Sequence, residues 1–176
     1  MKILMLIDAL DVGGAETHVE ILAGELAKMG NEIIVASTGG KIGARMSRRG
    51  IKMLFLPPLS KNTSSKKRKS YSLFVSGYLS AQKTLTNLII KEKPDLVHAH
   101  TRRTAFLISW ICKRHKVPLI VTAHAKFSMK FPKNLLSKWG DGTISVSDDI
   151  KNHLEFYGAH TNKIKVIHNG VSIPNS

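Results

Sequence analysis

Cysteine is nearly absent from this 176-residue chain, with Cys112 the single example. That excludes an internal disulfide framework and a cysteine-rich zinc site, and it fits a reducing compartment. Long apolar runs are missing too. None reaches the roughly 18 residues that a bilayer span needs. The opening MKILMLIDAL is interrupted by Asp8 and reads as a buried strand, not a signal peptide. Several signatures of chemistry are also absent. There is no G-x-G-x-x-G, no P-loop around Gly40-Lys41, no G-x-S-x-G and no Asp-x-Asp. A standard dinucleotide enzyme, a P-loop NTPase and an α/β-hydrolase are thereby disfavoured, and no carboxylate site for a metal–nucleotide pair is evident.

Acidic residues are scarce, 12 against 27 Lys and Arg, for a net charge of +15. The scarcity is local. Residues 33–91 contain no Asp or Glu and carry +12 of that charge. A field so lopsided attracts a polyanion: anionic lipid, a phosphorylated substrate or nucleic acid. Aromatics make up only 6% of the chain and do not interleave with the charges, which argues against a nucleic-acid stacking platform. The densest part, Lys66, Lys67, Arg68 and Lys69, is a candidate contact for a membrane or other anion, followed by an apolar-faced helix.

What is present is alternation. Apolar runs at 2–7, 32–37, 51–56, 95–100, 118–124, 142–147 and 163–168 predict seven strands. Helical spacing predicts helices between most of them, at 15–27, 41–49, about 74–91, 102–115 and after Ser147, with a short one near 135–138. Such alternation implies an α/β, three-layer Rossmann-like domain. It has a parallel sheet of about seven strands and helices on both faces. Ligands of such sheets bind beyond the carboxyl ends of the strands, so the loops near Asp8, Thr38, Pro57, His98, His124 and Ser147 carry the interest.

Two features stand out there. Gly13 and Gly14 open the first helix. Their backbone N–H groups can approach an anion closely, although a turn that merely needs glycine explains them equally well. His98 and His100 share a face at one strand end, and His124 ends the next strand. Zinc is conceivable on these three, but no nearby Asp or Glu is evident to orient them. Binding a hydroxyl or stabilising developing charge is the preferred reading, with His124 the functional member and His98 a core residue. His18, His115, His153, His160 and His168 read as surface or packing residues.

In combination these segments are familiar. IDALDVGGAETHVEILAGELAKMGNEIIVAS, DLVHAHTRRTAF, VTAHA, ISVSDDIKNHL and KIKVIHNGVS, in this order, resemble the N-terminal domain of family 4 glycosyltransferases of the GT-B type. The resemblance implies an acceptor-binding domain over 1–170 and the start of an interdomain linker at 171–176. The C-terminal donor domain and its E-x7-E glutamate pair are absent from this sequence, so little transfer by the chain alone is expected. It also implies sugar transfer with retention from a nucleotide-sugar to a hydroxyl of a glycan or lipid-linked acceptor in cell-envelope or polysaccharide synthesis. No metal or other cofactor is implied. Gly13 and Gly14 would approach the donor phosphate and sugar, and His124 would line the reaction centre. His100, Thr101, Arg102 and Ser147 would face the acceptor. The location implied is cytoplasmic, with peripheral attachment to the inner face of the membrane. Two other readings stay open at this stage: a non-catalytic lipid- or partner-binding subunit of a split transferase, and a nucleic-acid-binding domain of similar fold.

Overall fold

The computed structural model describes residues 1–56, 71–126 and 138–170, without the side chains of 71–77. The cationic stretch Lys66, Lys67, Arg68 and Lys69, most of the short helix expected near 135–138 and the linker at 171–176 lie outside the described residues.

Seven strands form one sheet: β1 (Lys2–Leu6), β2 (Glu32–Ser37), β3 (Lys52–Phe55), β4 (Leu96–Ala99), β5 (Leu119–Ala123), β6 (Gly142–Ser145) and β7 (Ile164–Val166). Among the described residues, five α-helices accompany them: α1 (Gly14–Lys28), α2 (Lys41–Arg48), α3 (Tyr71–Glu92), α4 (Arg102–His115) and α5 (Asp148–Phe156). A short 3-10 turn at Thr161–Lys163 leads into β7. The order across the sheet is β3-β2-β1-β4-β5-β6-β7, and every pairing is parallel. The domain is thus the Rossmann-like α/β fold that the alternation predicts. The order reverses between β1 and β4, which opens a crevice at their carboxyl ends.

β1 is apolar at every position beyond Lys2 because both of its faces are covered. Side chains alternate along a strand, so the sequence sorts itself by parity. Leu4 and Leu6 of β1, with Val97 and Ala99 of β4, point to the layer of α3 and α4, where Leu85, Ile89, Ile108 and Ile111 are buried. Ile3 and Met5, with Ile33 and Val35 of β2, point to the layer of α1 and α2, against Val19, Ala23, Ile42 and Met46. Each fully buried Leu or Ile contributes about 1.5–3 kcal/mol. A smaller cluster of Ala123, Ile150, Leu154 and Ala159 seats α5.

Polar contacts fix the helices. Thr101 caps α4, accepting from the Thr104 amide at 3.2 Å, and Thr104 returns a bond to the Thr101 amide at 3.3 Å. Ser147 caps α5 through the Ile150 amide at 3.3 Å, and Asp148 and Asp149 occupy the first turn, at the positive end of the helix dipole. Glu20 of α1, though buried, holds Arg45 of α2 through a two-pronged contact and Arg49 at 3.2 Å. Gly30 and Gly158 follow α1 and α5 in the left-handed region, as helix stops.

Candidate functional site

The same parity that builds the core builds the site. His98 lies in register with Met5, so it faces the α1 layer, and His100 faces the same way two residues on. His98 is also in register with Ile120, which puts Thr122 and then His124 on that face of the neighbouring strand. α1 lies over this face and contributes His18 from its second turn. Three elements therefore bring four imidazoles together at the carboxyl edge beside the β1–β4 crevice.

The geometry is tight. The His98 and His100 ring centroids are 4.1 Å apart, and His98 Nε2 lies 2.7 Å from the Thr122 hydroxyl oxygen. His98 is thus the satisfied core histidine that its place inside the apolar run predicts. His100 Nδ1 sits 3.3 Å from His124 Nε2. The His18 ring lies edge-on to His124 at 4.9 Å and tilted to His100 at 5.9 Å. Burial withdraws water from any imidazolium here, and neighbouring rings add repulsion. Desolvation, with His18 and His124 beside it, drops the His98 pKa to about 3. Desolvation and His18 drop that of His124 to about 4. His100, wholly buried, lies well below the usual range for the same reasons, and burial lowers His18 as well. The rings are neutral at physiological pH.

Two ring nitrogens of this cluster, His100 Nε2 and His124 Nδ1, are buried without a hydrogen-bond partner among the described residues. In a neutral pair joined Nδ1 to Nε2, one ring must donate. The donor ring is then left with a bare nitrogen, and the acceptor ring with an N–H. Whichever way the proton sits, the pair has one donor and one acceptor to spare. Leaving each unsatisfied costs about 1–3 kcal/mol.

Asp8 lies where β1 runs into the crevice. Its Oδ1 is also buried and unpaired, and burial raises its pKa against the pull of Arg103 and a bond from the Thr101 hydroxyl. Gly13 caps α1 and Gly14 begins it. Neither glycine is demanded by the fold. Gly13 is extended, a conformation any residue adopts, and a Cβ there would meet only the flexible end of Glu16. A Cβ on Gly14 would meet nothing within 4 Å. The turn explanation is better suited to Gly40, whose φ is +135° and where a Cβ would run into the Leu10 carbonyl. Gly14 thus stands beside open space at a helix N-terminus, about 6 Å along the axis from His18, and the Glu16 carboxylate lies beside Gly13.

Of the residues singled out from sequence, His100 and His124 come into contact, and Thr101 and Arg102 open α4 beside them. Ser147 lies along the same edge at the end of β6, with its hydroxyl engaged in capping α5. A 2.6 Å ion pair from Lys126 to Asp149 ties the segment after His124 to that helix. His18, read from sequence as a surface or packing residue, belongs to the cluster. No spacing signal links a helix residue to a strand end about a hundred positions away. Its place one turn after the Gly-Gly pair, on the same helix as the buried Val19, is the only hint in the sequence.

The Glycosyltransferase Family 4 model matches residues 12–173. The chain belongs to glycosyltransferase family 4. As a family 4 domain it is similar in structure to a glycosyltransferase from Rickettsia africae ESF-5, at 22% identity and a TM-score of 0.72, covering 97% of this chain and 43% of that one. It is similar to Anabaena Alr3699/HepE, solved in complex with UDP-glucose, at 17% identity and TM-score 0.70, covering 97% and 44%. It is also similar to the lipopolysaccharide outer core galactosyltransferase WaaB, at 17% identity and TM-score 0.69, covering 98% and 47%. The family 4 chain thus spans less than half the length of each. No protein of curated function matches it. Among the described residues, no helix is long and apolar enough to cross a membrane.

Proposed function

We propose that residues 1–170 are the acceptor-binding N-terminal half of a retaining glycosyltransferase. It would move a sugar from a nucleotide-sugar to a hydroxyl of a glycan or lipid-linked acceptor in cell-envelope or polysaccharide synthesis. The observation that carries this reading is the spare donor and spare acceptor on the His100–His124 pair. The two spare nitrogens face away from each other across the pair, so two hydroxyls of one sugar satisfy them, one accepting from the N–H and the other donating to the bare nitrogen. Both nitrogens are shielded from water, and ligand entry requires a side-chain movement. His18, half-buried at the edge of the cluster, is placed to make it.

In the reaction, the glycosidic bond to the nucleotide diphosphate breaks and negative charge grows on the leaving phosphate. The Gly13 and Gly14 amides and the positive end of α1 offset part of that charge. His124 and His100 hold the hydroxyl-bearing ring in line, and Thr101 and Arg102 border the acceptor side. Ser147 stands farther along the same edge. A second, nucleotide-binding domain supplies the remaining donor contacts. The leaving phosphate itself takes the acceptor proton, so this half needs no strong base and no metal. The cationic stretch Lys66–Lys69 holds the enzyme against the anionic inner face of the cytoplasmic membrane.

The test is His124→Ala in the enzyme that joins this domain to its donor half. Turnover falls about a hundredfold, while the unfolding free energy changes by less than about 2 kcal/mol. If stability falls as steeply as turnover, His124 is a packing residue and this reading fails.

A further inference from the structure

His18, His100 and His124 offer one ligand atom each, all within 4.8 Å of one another. Two of the rings already bring nitrogens to 3.3 Å. Zinc–nitrogen bonds of about 2.0–2.1 Å in a tetrahedron set an edge of about 3.3 Å between ligand nitrogens. One edge of that tetrahedron therefore has the right length, and the site closes by a swing of His18, half-buried on α1, and a tilt of the two facing rings toward a common point. The rings are neutral, so ligation needs only that the shared proton shift to an outer ring nitrogen. Imidazole is the ligand type that borderline divalent ions such as zinc prefer.

We propose that His18, His100 and His124 form a three-imidazole site for a zinc-class divalent ion, and that such an ion and a sugar hydroxyl exclude each other there. Nothing in the transfer reaction requires the ion. Held by the two facing nitrogens, with water at the fourth position, the ion breaks the bond between the rings and leaves an N–H on both outer nitrogens, so the spare acceptor that the sugar uses is lost and the ion acts as a blocker. Asp8, whose Oδ1 has no partner among the described residues, lies toward Thr101 and Arg103 and is not one of the three ligands.

The experiment is calorimetric titration of zinc chloride into the metal-stripped protein at neutral pH. Wild type, His18→Ala, His124→Ala and, as a control, His160→Ala on the opposite side of the molecule are compared, each checked for native circular dichroism. One ion binds wild type and His160→Ala alike. The affinity falls at least about tenfold in His18→Ala and in His124→Ala. His18→Asn, which keeps the volume without an imidazole, repeats the loss. No saturable binding by wild type, or binding that both cluster variants retain, overturns the proposal. That failure leaves the hydroxyl-binding reading standing, because the turnover of His124→Ala in metal-free buffer decides it separately.

Discussion

A histidine kept neutral by burial ties the stability of the domain to pH in a defined direction. In the unfolded chain His98, His100 and His124 titrate near their ordinary 6.5, while in the fold all three titrate lower. Between those limits the unfolded state holds more protons. Stability is therefore complete above pH 6.5 and drains away as pH falls toward 4, with a slope of about 1.4 kcal/mol per pH unit for each histidine fully engaged. Glu20 and Glu92, which hydrogen bonds from Arg45 and Lys52 hold below the usual 4.5, lose their contribution only at lower pH, so the windows separate. Urea titrations at pH 7, 6 and 5 are expected to give a falling unfolding free energy that steepens toward two or more protons by pH 5. A level profile over that range rules out a neutral buried cluster. That His100 and His124 lie together at neighbouring strand ends was legible, because strand alternation and strand ends can be read from one sequence. His18 was not, since which helix lies over which strand end is set by sheet order, and periodicity does not contain it.

The helix starts and turns carry a second contrast, between glycines that the backbone needs and glycines that it does not. Gly40→Ala is expected to cost about 2–4 kcal/mol, since it forces a side chain into the left-handed region and against the Leu10 carbonyl. Gly14→Ala places a good helix former in open space at the first position of α1, and it should leave stability unchanged or raise it by about 0.5–1 kcal/mol. If the Gly14 amide meets the donor phosphate, that same variant raises KM for the nucleotide-sugar in the two-domain enzyme. Thermal melts and steady-state kinetics check both halves of the statement, and unaltered kinetics would remove Gly14 from the site. The elements themselves were readable almost to the residue. α4 begins at Arg102 and ends at His115, as its spacing predicts, and Ser147 caps α5. The need for glycine at position 40 was hidden, because the obstacle is a residue thirty positions earlier whose approach depends on the packed loop.

At the scale of the molecule the charge is the feature to test. α2 buries Ile42 and Met46 and turns Lys41, Arg45 and Arg48 outward; Arg45 also holds Glu20. α2 thus adds exposed cations of its own to the charge carried by residues 33–91. Replacing Lys66, Lys67, Arg68 and Lys69 by glutamine is expected to weaken sedimentation with phosphatidylserine-containing vesicles by at least about tenfold, at roughly 1 kcal/mol per cation near the surface. Binding to neutral vesicles should not change. Sedimentation unaffected by the replacement would assign the stretch to another anion, such as a charged acceptor. The seven strands and their parallel arrangement followed from alternation alone. Their lateral order did not, and with it the position of the crevice, because an open parallel sheet can be threaded in several orders that share the same pattern of runs.

That lateral order also sets a timetable for folding. β1 is made first yet sits mid-sheet, and its second neighbour is β4, with Ile3 paired to Leu96. During synthesis β1 can gain β2 early but must wait for some ninety further residues before its other edge is covered. His124 follows later still, with β5. Loop closure over such separations slows folding. The imidazole cluster therefore cannot assemble before β5 is in place, and a nascent chain that stalls before β4 emerges presents a half-covered first strand and no site.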